Sequence, residues 1–410
     1  MATKTSGALE GLRVVELGQF VAGPFCTQIL GDFGARVIKI EPPIGDPLRR
    51  WREMHGTTSL WWYNLNRNKQ SVAIDLRTSA GQELARALAA RADIVVENFR
   101  PGTLESWNLG WEHLRSINPR LVMVRISGFG QDGPYRDRTG FGAVGESMGG
   151  LRYLTGWPDR SPTRVNLSLG DSVAAMWGVI GALNAIYYRD VAGMGTGQLV
   201  DVALYEAVFA LLESTLSEYD YAGVVRERSG TALPGIAPSN TYPTRDGKDV
   251  IIGGNGDRIF PRLMQAIARP DLASDPRLAT NPGRAEHADE LDGAIGAWTA
   301  WRTLKEVLSA MDTAGVPAGP IYTIADIARD EHYLARGAIQ DVEVPGIGQL
   351  KMPGVVPKLS QSPGRISWAG PRIGEHNRAV LQGLLGISDE ALLELTAQGV
   401  IRDEAHADAT

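Results

Sequence analysis

The chain has 410 residues, 43% of them hydrophobic, and a formal net charge of −6, which is more chain than one hydrophobic core ordinarily supports and sets an expectation of two domains. It carries no run of about five or more like charges of the kind that marks a nucleic-acid arm, so nucleic acid is excluded as a natural partner. A single cysteine, Cys26, excludes an internal disulfide framework and suits a reducing compartment.

The first residues, MATKTSGALEGLRVVEL, hold no long apolar core followed by a small-residue cleavage site, and a cytoplasmic protein is expected. From there LRVVEL (12–17) reads as a strand, PFCTQILGDFG (24–34) as a helix that buries Cys26 as a small hydrophobe, and ARVIKIE (35–41) as a second strand. SVAID (71–75), the helix SAGQELARALAARA (79–92), DIVVENF (93–99) and LVMVRISG (121–128) continue the pattern. Strand and helix alternating at this spacing predict a Rossmann-like parallel sheet flanked by helices, an α/β fold. The longest apolar stretch, Val173 to Tyr188, contains Asn184 and two glycines, is too short to span a bilayer comfortably, and reads as a buried helix. No membrane association is therefore expected. GQLVDVAL (197–204) adds a strand, and one helix is expected from Tyr205 to about Tyr221.

Composition shifts near 225–245, where RERSGTALPGIAPSNTYPTRDGK is rich in turn formers, and a smaller α+β domain should follow. It would contain the strand DVIIGG (249–254), a helix from Ile259 to Ala268, and helices near 288–300 and 303–315. The segment after Val316, with GPIYTIADI and VEVPGIGQLKMPG, should lead back to the first domain. The expected division is 1–225 with 330–410 as the large domain and 226–329 as the small one. The six histidines, His55, His113, His287, His332, His376 and His406, follow no HExxH or Cys/His spacing, so no metal site is expected.

The dipeptide Gly170-Asp171 puts a carboxylate where a polar loop turns into the apolar helix. Two readings of that position compete: capping of the helix by Asp, and attack of the carboxylate on a carbonyl to form an acyl intermediate. GQFVAGPFCTQILGDFGARVIKIEPP (18–43) is a strand end, a Gly-Pro turn and a helix start, where backbone N–H groups can approach a phosphate or carbonyl. It is not GxGxxG, and GGNG (253–256) lacks the Lys-Ser/Thr of a P-loop, so the latter reads as a strand-end turn.

AGPFCTQILGDFGARVIKIE, LNRNKQSVAIDL, ADIVVENFRPGTLESWNLGWE, INPRLVMVRISGFGQDGP, LGDSVAAMWGVIGAL and GQLVDVALYEA stand in this order over about half the chain. Together they closely resemble the family III CoA-transferases, the group that includes formyl-CoA and carnitine CoA-transferases. The resemblance implies that Asp171 is the nucleophile, that a coenzyme A thioester is the substrate and no cofactor is permanently bound, and that the protein is an intertwined homodimer. It implies an aspartyl mixed anhydride, then an aspartyl-CoA thioester, which an acceptor carboxylate attacks before CoA captures the new acyl group. By the same resemblance Val21 and Ala22 would contact CoA through their backbone, and Asp75, Leu76 and Arg77 and then Asn98, Phe99 and Arg100 would form two CoA-binding turns. Arg77 and Arg100 are the candidates for the phosphates, since guanidinium forks suit phosphate oxygens.

The chain departs from the family pattern at three places. Pro42 and Ser106 stand where basic residues are frequent, and the run of glycines that shields the intermediate in formyl-CoA transferase is missing, leaving GTALPGIAPSN (230–240) as a candidate cover. An α-methylacyl-CoA racemase would carry histidine within a Gly-His-Asp element where this chain has Gly140-Phe141-Gly142, and phenylalanine moves no proton, so transfer is favoured over racemisation. A non-catalytic acyl-CoA-binding protein is the other alternative, and it would not need Asp171. GFGAVGESMGGLRYLTG (140–156) resembles members acting on short dicarboxylates with succinyl-CoA as donor. Arg152 or Arg164 is then a candidate partner for the distal carboxylate.

Overall fold

A computed structural model describes residues 7–402; the first six residues of the N-terminal stretch read above, and His406, lie outside the described residues. Six strands form one parallel sheet: β1 (Arg13–Glu16), β2 (Arg36–Glu41), β3 (Lys69–Ala73), β4 (Ile94–Glu97), β5 (Val122–Ser127) and β6 (Leu199–Ala203). Their spatial order is β3-β2-β1-β4-β5-β6, with every neighbouring pair parallel. The chain first winds outward from β1 through β2 to β3 and then returns to the other side of β1. The reversal opens a crevice beyond the carboxyl ends of β1 and β4, the place where open α/β sheets bind ligands.

Side chains alternate across the sheet with the period of a strand. Val14, Val37, Ile94 and Val122 pack on one face beneath α1 (Ala22–Asp32) and the long helix Leu169–Ile186, while Val15, Ile38, Val95 and Met123 pack on the other beneath α2 (Ser79–Ala89). Both faces are covered, which is why the strands read as nearly continuous apolar runs. Each fully buried Val, Leu or Ile contributes about 1.5–3 kcal/mol relative to exposure. Cys26 lies buried in α1, where burial pushes its thiol up to about 12. Gly178 of the long helix passes so close that a Cβ there would stand 3.2 Å from its Sγ.

α2 begins at Thr78, whose hydroxyl accepts from the Gly81 N–H at 3.0 Å. Two further helices flank residues 149–168, α3 (Gly142–Met148) and α4, the long helix itself. With the turn that continues it to Val191, α4 is long and apolar enough to cross a membrane by composition. It is nonetheless a core helix, with Ala174, Ala175, Ala182 and Ala185 buried in the sheet-facing cluster. The helix expected from Tyr205 to Tyr221 is two, α5 (Leu204–Phe209) and α6 (Thr215–Ala222). Between them Glu213 adopts a left-handed φ of 51°, which no α-helix accommodates.

The described residues form two compact units. One comprises the residues up to Arg152, Val165–Val225 and those from Ala335 onward; the other comprises Tyr153–Arg164 and Arg226–Leu334. The second unit holds an antiparallel sheet of β7 (Ser239–Pro243), β8 (Asp249–Gly253) and β9 (Ala318–Pro320), with β8 central. Its core joins Val250 and Ile252 to α7 (Phe260–Ala266), α8 (Ala288–Thr299) and α9 (Leu304–Ala314). In the first unit the hairpin β10 (Ile339–Val344) and β11 (Gly348–Pro353) precedes α10 (Asn377–Leu385) and α11 (Asp389–Ala397). Val380, Leu381 and Leu392 of these last helices join the α2 face of the large sheet, and the Asn377 side chain accepts from the Ala73 N–H at 2.8 Å.

Candidate active site

The loops at the sheet reversal are tied to each other by Asn98. Its Oδ1 accepts from the Gln19 N–H at 2.8 Å and its Nδ2 donates to the Gln19 carbonyl at 2.9 Å, so one amide satisfies both backbone groups of a residue in the β1–α1 loop. Gly18 and Gly23 permit this approach: a Cβ on either would crowd the Asn98 oxygen, at 2.9 and 3.2 Å. Val21 and Ala22 have buried side chains at the start of α1, so what they offer outward is backbone. Phe99 donates its N–H to Glu97 Oε2 at 2.7 Å and sets its ring edge-on to Trp107. Arg100 donates to the Asp137 carbonyl at 3.1 Å, which holds the 133–138 loop beside the β4 turn.

Asp75, Leu76 and Arg77 form the turn after β3. Arg77 closes its fork on its own turn, with Nε 2.8 Å and Nη2 2.7 Å from the two Asp75 oxygens, and this contact holds the Asp75 carboxyl below its ordinary value. Its side chain remains 83% exposed, so the pair is a solvated one that a stronger anion can displace.

A row of buried charge underlies these turns at the carboxyl ends of the strands. Glu16 pairs in register with Lys39, and its two oxygens receive Lys39 Nζ at 2.8 Å and Lys69 Nζ at 2.9 Å. Burial opposes the charge of Glu16, but the two ammonium groups outweigh it and its carboxyl falls to about 2. Lys39 also donates to the Gly18 carbonyl at 2.9 Å, linking the network to the β1–α1 loop. One strand pair further on, Glu97 pairs in register with Arg125, which binds it at 2.6 Å and reaches Glu105 at 2.6 Å. The sequence reading did not single out these residues. The signal was present in lone charges interrupting apolar strands, in RVVE, RVIKIE, DIVVE and LVMVRIS.

Asp171 is the third residue of α4. The capping position belongs to Ser168, which makes no side-chain capping bond, and the amide of Gly170 in the first turn is bound from outside by Glu146 of α3, Oε1 to N 3.2 Å. Asp171 therefore stands in the first helical turn rather than at the capping position, as a partly exposed carboxylate near the positive end of the helix dipole. Gly142 lies directly against it, and a Cβ at that position would overlap the Asp171 carboxylate oxygen. Phe141, where a racemase would carry histidine, precedes α3 and is 65% exposed.

Several other predicted positions have local roles. Ser106 donates its hydroxyl to the Thr103 carbonyl at 2.7 Å, and Pro42 accepts the Gly45 N–H at 2.7 Å in a turn, so neither replaces a basic residue. In the second unit, the buried Arg284 donates to the Ala237 carbonyl at 3.1 Å and to the Asn255 carbonyl at 2.6 Å. It thereby braces both the 230–240 segment and the GGNG turn. Arg152 lies 3.4 Å from Glu146 Oε2, and Arg164 belongs to the second unit.

A six-stranded parallel sheet covered on both faces, with a carboxylate in the first turn of its core helix, defines an α/β protein with a ligand crevice at the sheet reversal, and comparison with known proteins says what it serves. The sequence model of CoA-transferase family III matches residues 9–377. The chain is 53% identical over 395 residues to the succinyl-CoA–D-citramalate CoA-transferase of Chloroflexus aurantiacus, covering 96% of this chain and 98% of the relative. It is 42% identical over 398 residues to the alpha subunit of succinyl-CoA–L-malate CoA-transferase from Chloroflexus aurantiacus, covering 96% and 92%. A crystal structure of a CAIB/BAIF family protein from Brucella suis superposes with a TM-score of 0.82 at 35% identity, covering 92% of this chain and all of that one. The chain belongs to CoA-transferase family III, and it is an enzyme that moves CoA between acyl groups.

Proposed function

We propose that the enzyme transfers CoA from succinyl-CoA to a short hydroxydicarboxylate of the citramalate or malate type, with Asp171 as nucleophile. The observation that carries the chemistry is the placement of Asp171 in the first turn of α4 against a glycine that leaves its carboxylate room. The choice of substrates is supported by relatives that act on succinyl-CoA with D-citramalate or L-malate.

In this reading an Asp171 oxygen attacks the thioester carbonyl and expels CoA thiolate, leaving a succinyl-aspartyl anhydride. The thiolate attacks the aspartyl carbonyl, succinate departs, and an aspartyl-CoA thioester remains. The acceptor carboxylate then displaces CoA thiolate to form a second anhydride. CoA attacks the acceptor's carbonyl carbon, and Asp171 is regenerated. The positive end of α4 favours the ionised carboxylate and the oxyanions of the tetrahedral intermediates.

In this reading CoA spans the carboxyl ends of the sheet, from the backbone of Val21 and Ala22 and the turn Asn98-Phe99-Arg100 at the reversal to the turn Asp75-Leu76-Arg77 after the edge strand β3. Arg77 and Arg100 take its phosphates, Arg77 by exchanging Asp75 for a phosphate oxygen. The test is a panel of acyl-CoA donors against carboxylate acceptors, run for the wild type and for Arg77→Ala and Arg100→Ala with both succinyl-CoA and succinyl-pantetheine. Succinyl-CoA with a hydroxydicarboxylate should give the highest kcat/KM. Each arginine variant should lose about tenfold or more with the full thioester and much less with the truncated one. A preference for a monocarboxylate pair contradicts the substrate assignment, and equal losses on both donors contradict the phosphate contacts.

A further inference from the structure

We infer that Glu146 is a positioning residue for the nucleophile: it anchors the first turn of α4 from α3 and thereby sets where the Asp171 carboxylate stands. The inference rests on the reading of Asp171 as nucleophile. Glu146 is 2% exposed, an unusual place for a carboxylate in a seven-residue helix. Its Oε1 accepts the Gly170 N–H at 3.2 Å, the amide immediately before Asp171. Its Oε2 faces Arg152 Nη2 at 3.4 Å, an arginine from the short helix that follows α3, so the side chain is held at both oxygens.

The packing around this bond leaves little freedom. A Cβ on Gly170 would stand 2.9 Å from the Gly142 carbonyl and 3.1 Å from Glu146 Cγ, so α3 and the start of α4 meet backbone to backbone at the residue before the nucleophile. Gly142 touches the Asp171 carboxylate itself. Glu146 lies one helical turn further along the same helix and closes the contact. Because the four leading amides of a helix have no partner within it, a carboxylate from a neighbouring helix is a direct way to fix that end. With no capping bond from Ser168, Glu146 supplies what the local sequence does not.

Reaction at a carboxylate held in a near-attack position is sensitive to displacement, and a shift of about 1 Å can cost about a hundredfold in rate. The experiment compares wild type with Glu146→Ala, Glu146→Gln and Glu146→Asp in steady-state transfer from succinyl-CoA. Borohydride trapping of the Asp171–CoA thioester and melting curves accompany the kinetics.

Gln keeps an acceptor oxygen at the same reach and should retain kcat to within about tenfold of wild type, whereas Ala should lose about a hundredfold in kcat with KM for succinyl-CoA changed little. Asp, one methylene shorter, should fall with Ala, and trapped thioester should fall in parallel with kcat. If the Ala variant does not fold, the Gln–Asp pair decides: equal kcat values for the two overturn the inference, as does an Ala variant within about threefold of wild type. Wild-type protein that transfers CoA while the variants match it removes only the role of Glu146. Wild-type protein that neither transfers CoA nor traps a thioester removes the reading of Asp171 and the role of Glu146 with it.

Discussion

Glu97 sits at the end of β4, fully buried, with Arg125 Nε 2.6 Å from one oxygen and the Phe99 N–H 2.7 Å from the other. Burial pushes its carboxyl up to about 7, and Arg125 and the Phe99 amide offset only part of that. A carboxyl whose folded value exceeds its ordinary 4.5 binds a proton more tightly in the folded chain. Its contribution to stability is therefore fully present below about 4.5 and is lost as pH rises through about 7. Glu97→Gln removes the titration but keeps one acceptor oxygen. Melting temperature measured against pH should fall for the wild type across this window more than for the variant. Parallel curves for the two proteins would contradict the assignment. The place of Asp171 at the start of α4 was legible at this scale because a lone acid between a polar loop and an apolar helix stands out in one dimension. Glu146 was not legible, because nothing in GFGAVGESMGGLRYLTG shows which side chain turns inward until Gly170 of α4, two dozen residues later, binds it.

α4 has two faces. Ala174, Ala175, Ala182 and Ala185 pack into the sheet-facing core, while Met176, Ile180 and Leu183, and Tyr187 just past the helix end, are exposed, Ile180 by 47% and Tyr187 by 63%. An apolar stripe of that kind on a helix already committed to the core is the kind of surface a partner copy covers, and the homodimer expected from the family resemblance is tested on it. Sedimentation at micromolar concentration should give twice the chain mass, and Ile180→Asp should shift it toward monomer; a folded, active wild-type monomer would contradict the assignment. The strands of the sheet could be read from sequence because both faces are covered and the runs are nearly continuously apolar. Their ends were overrun, with DIVVENF stopping at Glu97 rather than Phe99, because the Phe99 N–H leaves the ladder for the Glu97 side chain, a contact the apolar pattern does not reveal. The α5–α6 break was missed for a similar reason: an apolar helical pattern continues through it while the backbone at Glu213 does not. α10 and α11 were not singled out, and their place was decided by the far face of the sheet.

At the scale of the molecule, the strand order β3-β2-β1-β4-β5-β6 puts three loops at the carboxyl ends of its strands and a row of buried charge beneath them. Breaking one partner of a buried pair costs about 3–5 kcal/mol, so this row fixes the loops with more rigidity than hydrogen bonds at a surface would. In the proposed reading these turns anchor CoA on rigid elements, and Asp171 stands at the start of the helix that packs on the same sheet. The central claim is that Asp171 is acylated and exchanges an oxygen with the acceptor in each cycle. It is tested most directly by turning over unlabelled succinyl-CoA with an acceptor hydroxydicarboxylate whose carboxylates carry heavy oxygen, then digesting the protein and weighing the peptide that contains Asp171. The account predicts heavy oxygen in the Asp171 side chain and in no other carboxylate, because CoA breaks the second anhydride on the acceptor's side and leaves the acceptor's oxygen behind. An unlabelled Asp171 peptide after many turnovers would contradict it.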